Sequence, residues 1–203
     1  MRRTLAFLLF LAMAAICFAD SQGNNSGSGT DGGGGGAAWV NPNNITVPGS
    51  HASSTLAKNG GFSNNLFAES FGFSIPGGST IQGISVTWAT SSGFNCFVNS
   101  ARVLKAGVAT GNDNSAGESW FGGVTYGSPT DLWGAAWTPA DINAAGFGAS
   151  ISGVNSDTVI SRGIGANNPV SITVTFVQSG GSLGRRGVIQ YSQTRTMGVH
   201  RGH

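Results

Sequence analysis

The sequence predicts an all-β protein: a single antiparallel, jelly-roll-like β-sandwich preceded by a signal peptide and flanked by disordered termini. Three observations carry this. Apolar residues recur with a period of two, as in "PVSITVTFVQ", where Val170, Ile172, Val174 and Phe176 alternate with Ser and Thr. Such alternation means one packed and one wet face, which is how strands of an antiparallel sandwich behave. Only 9% of residues are charged and 34 of 203 are Gly, so the surface is polar without being ionic. No stretch carries an apolar stripe at helical spacing, and hydrophobic residues at 39% are enough to build a core.

The chain opens with two arginines, Arg2 and Arg3, an apolar run "LAFLLFLAMAAI" and a small residue at Ala19. That pattern predicts a signal peptide over residues 1–19, cleaved before Asp20, and therefore a secreted, extracellular or periplasmic protein. The apolar run is short for a bilayer span, and no later segment reaches ~20 apolar residues. Residues 20–36, "DSQGNNSGSGTDGGGGG", read as a Gly/Ser-rich linker with nothing to bury. The domain is expected over 37–178, with a polar, basic tail over 179–203. A patch at Val188, Ile189 and Tyr191 is the one place in that tail where a short strand is conceivable. On these boundaries, trimming residues 20–36 and everything after Gln178 is expected to leave a folding unit.

Within the domain, Phe67, Phe71, Phe73 and Ile75 share one parity with Glu69, and "PGGST" forms a turn. A second strand then places Ile84, Val86 and Trp88 inward and Ser85 and Thr87 outward. Further strands are expected in "SARVLKAG", "SWFGGVTYG", "FGASISGV", "DTVISRGIG" and "PVSITVTFVQ", eight or so in all. "TPADI" is the one good helix start. Thr138 caps, Pro139 takes the first helical position, and the Asp141 carboxylate answers the Thr138 backbone. Gly146 ends the helix within a turn or two. Trp133 and Trp137, just upstream, are expected as buried weights pinning this crossover to the end of the sandwich.

The order "FGFSIPGGSTIQGISV", "DLWGAAWTPADINAAGFG", "VSITVTF" resembles a group of β-sandwich modules found in phage virion proteins and in bacterial secreted or surface proteins. The likeness covers residues 62–176. It implies a non-enzymatic structural or adhesive module, and it carries no catalytic residue over.

Charge narrows the partners. The first nineteen residues hold two bases and no acid, so the remainder carries eight bases and eight acids. Nucleic-acid binding needs a clustered basic face, which the domain does not offer. Arg185, Arg186, Arg195 and Arg201 fall in the tail, as a solvated segment or a phosphate- or membrane-seeking arm. With Cys17 in the signal peptide, Cys96 stands alone. It is either a buried small hydrophobe or one half of an intermolecular bridge.

Catalytic motifs fail on context. "GSGTDG" matches a dinucleotide loop but follows no strand, and "GGSLG" places Ser182 in a Gly/Ser tract without a strand-to-helix turn. His51, His200 and His203 have no ligand spacing for zinc, and Glu69 and Glu118 are the only glutamates. A non-enzyme is expected. For binding, the oxygen-rich loop "GNDNSAGE" over 111–118, with Asn112 and Asp113, is either a Ca²⁺ site or a plain turn. Trp120 and Phe121 are adjacent and point to opposite sides of a strand, so one of them can be exposed. An exposed ring beside amides and carboxylates suits a sugar, whose C–H face stacks on the ring. The sequence thus leaves two functions open: a glycan- or surface-ligand-binding module, or a structural module acting through protein packing.

Overall fold

A computed structural model describes residues 19–178. Apart from Ala19, the segment expected as a signal peptide and the expected basic tail with its 188–191 patch lie outside the described residues. Among the described residues, ten strands form two antiparallel five-stranded sheets. The first sheet holds β1 (Ala19–Asn25), β3 (His51–Leu56), β5 (Thr80–Ser92), β8 (Gly122–Ser128) and β10 (Arg162–Val177). The second holds β2 (Ser28–Asp31), β4 (Leu66–Glu69), β6 (Cys96–Lys105), β7 (Val108–Thr110) and β9 (Gly148–Asn155). The two sheets face each other over a core of alternating inward residues, the β-sandwich the periodicity predicts.

Strand β10 organises the first sheet. Along one side it pairs with β5 on both sides of an interruption; along the other it pairs with β3 in its first half and with β1 in its second. "DTVISRGIG" and "PVSITVTFVQ", expected as separate strands, are therefore joined. The register slips between Asn167 and Ser171, around Pro169. A proline has no N–H for the ladder, so a strand accommodates it where pairing is interrupted. Val170, Ile172, Val174 and Phe176 are all buried beyond the slip, as are Ile84, Val86 and Trp88 on β5.

Residues 20–36 are not a linker. β1 aligns Ala19–Asn25 against β10, and β2 aligns Ser28–Asp31 against β4. Their side chains are mostly exposed, so no apolar alternation announces them. The backbone supplies the contacts. A Cβ on Gly29 would lie 2.3 Å from the Pro42 carbonyl oxygen and 2.7 Å from Ile45, so only glycine lets β2 run over the 3-10 turn at Pro42–Thr46. The Asp31 carboxylate then accepts from the Gly33 and Trp39 N–H groups, both at 2.8 Å.

One parity also differs. Leu66 and Ala68 point inward on β4, with Phe67 half-buried, whereas Phe71, Phe73 and Ile75 are buried further on. Ser70 sits between them at φ 59°, and this left-handed residue flips the alternation. Phe73 and Trp137 each meet Phe147 edge-on, at 5.6 and 5.5 Å.

The crossover from β8 to β9 forms as its residues predict, except that the helix ends with Ala144 as its cap, two residues before Gly146. Helix α1 (Pro139–Asn143) is closed by a capping box between Thr138 and Asp141. Burial works against the Asp141 charge, yet bonds from the Thr138 hydroxyl and Lys105 hold its carboxyl below the ordinary range. Trp133 and Trp137 are both buried. Trp133 donates through Nε1 to the Ile84 carbonyl at 2.9 Å, locking the crossover to β5, and Trp137 donates to the Leu132 carbonyl at 3.0 Å. Lys105 bridges to Asp141 at 3.0 Å and lies 5.4 Å from the Trp137 ring centre.

Candidate functional site

The sequence candidates separate in space. Trp120 is fully buried, its indole N–H donating to the Gly165 carbonyl at 2.9 Å and its ring 6.0 Å from Trp39. It is a core residue and not a ligand contact, because its neighbour Phe121 takes the outward direction and is 72% exposed. Asn112 and Asp113 belong to neither side of this pair. Asn112 is held by its backbone to the Trp133 carbonyl at 2.7 Å and lies under Gly134. Asp113 accepts from the Ala101 N–H at 2.9 Å and from the Ser115 hydroxyl at 2.8 Å. Burial opposes the Asp113 charge, but these bonds hold its carboxyl below the ordinary range.

The rest of the 111–118 loop is committed in the same way. Asn114 donates to Asp131 at 2.7 Å, and Glu118 accepts from the Ala116 N–H and the Tyr126 hydroxyl. Through Asp113 and Asn114 the loop ties β6 to the crossover. Among the described residues, no three His, Cys, Asp or Glu side chains gather in metal-binding range.

Phe121 instead joins two aromatics that sequence reasoning missed. An open cleft of about 750 Å³ lies at one end of the sandwich, between the β5–β6 turn, the approach to β8 and the start of β10. Its apolar surface comes from Phe94, Phe97 and Phe121, and its polar edge from Asn95, Ser119 and Ser161. Phe94 is 75% exposed for a definite reason. The turn that carries it runs through two left-handed residues, Gly93 at φ 88° and Asn95 at φ 60°. Gly93 itself presses onto the core, since a Cβ there would meet Trp120 at 3.0 Å and Ile164 at 3.2 Å. With its neighbour seated on the indole, Phe94 projects from the tip.

The opposite wall is formed by Ser161, Arg162 and Gly163, and the loop before them braces it. Asp157 accepts from the Val159 N–H at 2.8 Å, the Ile160 N–H at 3.1 Å and Arg162 Nη2 at 2.6 Å. These bonds keep its carboxyl well below the usual carboxylate range, the Val159 amide contributing most. Ser156 ties the loop to the turn, its hydroxyl donating to the Asn95 carbonyl at 2.8 Å. The pair also aims the Arg162 guanidinium at the Phe94 ring, 5.3 Å from its centre. Asn155, fully buried, donates to the Ala57 and Ile160 carbonyls and accepts from the Asp157 N–H. Beneath the cleft Cys96 is buried, and burial pushes its thiol pKa up. It packs as the small hydrophobe of the first expectation.

A pH prediction follows from Asp157. A carboxylate whose folded pKa is depressed contributes stability above its unfolded value of about 3.9, lost as pH falls through the folded value. Asp157→Asn should therefore melt below the parent at neutral pH, and the gap should narrow as pH falls below about 4. Thermal melts between pH 7 and pH 2 check this; a gap that is constant with pH contradicts it.

The cleft offers flat apolar ring faces beside amide and hydroxyl groups, with its cation and anion paired to each other. It can hold a ligand that is apolar on one face and hydroxylated on its edge. Asp157, ion-paired and kept ionised, has no proton to donate near neutral pH.

No known protein family matches the chain, and no curated protein matches it. Among solved structures, the chain is similar to one described as "CBM4 structure and function", at 12% identity and a TM-score of 0.38, over 74% of this chain and 92% of that one. A likeness at that level adds nothing to the fold read from the sheets themselves. Among the described residues, no helix is long and apolar enough to cross a membrane.

Proposed function

We propose that this chain is a secreted, non-catalytic β-sandwich module that binds a glycan in the cleft at the β5–β6 end. The observation that carries this reading is the exposure of Phe94 and Phe121 on a rigid frame, facing a polar edge of Asn95, Ser119 and Ser161. Two bulky rings left in water cost about 1.5–3 kcal/mol each relative to burial. Here Phe94 sits on a turn tied down by Ser156 and Asp157, and Phe121 follows Trp120, which is anchored in the core. Both positions are therefore fixed before a ligand arrives, and little ordering entropy is lost on binding. Stacking on the sugar's C–H face and bonds to its hydroxyls are the chemistry such a surface offers.

A glycan array tests it. Phe94→Ala and Phe121→Ala should each weaken binding at least about tenfold, the equivalent of ~1.4 kcal/mol. Both should melt with the parent, because neither ring belongs to the core. A protein that binds no glycan, or variants that bind as the parent does, would remove this reading. A structural module is the second reading, favoured by exposed Val159 and Ile160 beside the cleft. It predicts concentration-dependent association, lost in the same Phe variants and visible by sedimentation.

A further inference from the structure

The cleft does not end at Phe97. On β6, Phe97 aligns with Val154 of β9, and Val154 in turn bridges to Phe62, while Phe97 bridges to Ser119 on its other side. Residues aligned across antiparallel strands point to the same face. Inward positions fix which face this is: Val98 is buried, and a Cβ on its partner Gly153 would strike Trp120 and Ile164. Phe62, Val154, Phe97 and Ser119 therefore form one row across the outer face of the second sheet. Phe62 is 42% exposed and Phe97 38%. With strands about 4.8 Å apart, the two rings stand roughly 10 Å from each other across β9.

Beyond that row lies a second depression of about 250 Å³, on the same outer face. Phe62 borders it, and Asn65, Asn99, Ser100 and Ser152 line it. Its origin is a bulge. The β6–β9 register slips between Val98 and Ser100, which leaves Asn99 as an extra residue over the face, 3.3 Å from the Ser152 hydroxyl. A first depression rich in rings and a second rich in amides and hydroxyls thus share one aromatic row, Phe97 lining one and Phe62 the other. The arginine lining each of these two depressions is already paired. Arg162 is held by Asp157 at 2.6 Å, and Arg102 by the Gly111 carbonyl and by Asp113 at 3.7 Å.

We infer that the ligand is a linear, uncharged oligosaccharide that lies in the cleft, crosses the Phe62–Val154–Phe97 row and ends in the Asn65/Asn99 groove. This rests on the glycan reading of the cleft and extends it from a single sugar to a chain. A short oligomer fills the cleft alone, while a longer one gains stacking on Phe62 and hydrogen bonds to the amides. An acidic chain gains nothing, because neither guanidinium is free of its own carboxylate.

Titration calorimetry with β-1,4-linked glucose and N-acetylglucosamine oligomers, dimer to hexamer, and with a galacturonate hexamer, tests the inference. In one of the neutral series Kd should fall at least about tenfold from dimer to hexamer. Asn65→Ala/Asn99→Ala should abolish that gain while leaving dimer binding intact. Phe94→Ala should weaken every length. If the double variant melts early, Asn65→Ala alone is used and should lose part of the gain. Equal affinity for dimer and hexamer, with Phe94→Ala still weakening both, overturns the extended track but leaves the cleft reading standing. Tighter binding of the galacturonate hexamer overturns the uncharged ligand. No binding by any oligomer overturns the cleft reading together with the track.

Discussion

Deleting residues 20–36 is expected to abolish the cooperative thermal transition of this chain. The segment supplies both β1 and β2. β1 aligns seven residues along the second half of β10, and β2 four along β4. The Ser26 and Gly27 N–H groups donate to the Val170 and Glu69 carbonyls at 2.8 and 3.0 Å, and Asn24 donates to the Phe71 carbonyl at 2.8 Å. At a net ~0.5–1.5 kcal/mol per hydrogen bond, their combined loss is comparable to the ~5–15 kcal/mol that holds an ordinary domain together. Two further losses accompany it. Gly29 no longer covers Ile45, and β10 and β4 become bare edges open to pairing with other chains. Calorimetry of the deletion should show no transition, or aggregation on heating. A transition near the parent's would mean that the two strands are decoration.

Trp133→Ala is expected to cost about 3–5 kcal/mol, the usual range for truncating a large aromatic in a core. Trp133 is fully enclosed, and its indole N–H holds the Ile84 carbonyl on the neighbouring strand. Removing it leaves both a cavity and an acceptor without its partner. The surrounding backbone cannot collapse into the space, because it is shaped around the ring. Gly127 stands at φ 73°, and a Cβ there would lie 2.8 Å from the Trp133 Nε1 and 2.2 Å from the Ile84 oxygen. Trp133 itself stands at φ 57°, held by a bond from its N–H to Asp131 at 2.7 Å. Trp137→Ala should fall at the lower end of the range, since that ring keeps one edge near solvent. Asp141→Ala should cost ~1 kcal/mol, as the loss of a cap does. Denaturant melts of the three variants order them, and a Trp133→Ala protein as stable as the parent would refute the packing account.

What the sequence determined by itself was what depends on an uninterrupted side-chain alternation or on local chemistry; where the left-handed Ser70 breaks the alternation, the parity read for Phe67 failed. The two-residue alternation of Ile84, Val86 and Trp88, and of Val170 to Phe176, specifies which face is buried, because a strand's side chains have no other choice. The capping box at Thr138 and Asp141 is equally local: donor, acceptor and proline stand within four residues, so the helix start can be read directly. The burial of Trp133 and Trp137 follows from that corner.

Tertiary structure decided the rest. β1 and β2 are held by backbone hydrogen bonds to distant strands, and such bonds leave no mark on side-chain identity. A Gly/Ser/Asn tract reads the same whether it pairs or wanders. The candidate site shows the same division. That one of Trp120 and Phe121 must face outward is local, but which one is set by the Gly165 carbonyl waiting for the indole, 45 residues further along the chain. Phe94, Phe97, Phe121 and Arg162 come from three separate segments, and nothing in their spacing announces that they meet. They share a cleft because β5 and β6 turn at Gly93, and because β10 begins beside that turn with Asp157 clamping its guanidinium over Phe94. A sequence fixes the direction in which each side chain leaves its strand, but which strands end side by side is a property of the closed sandwich.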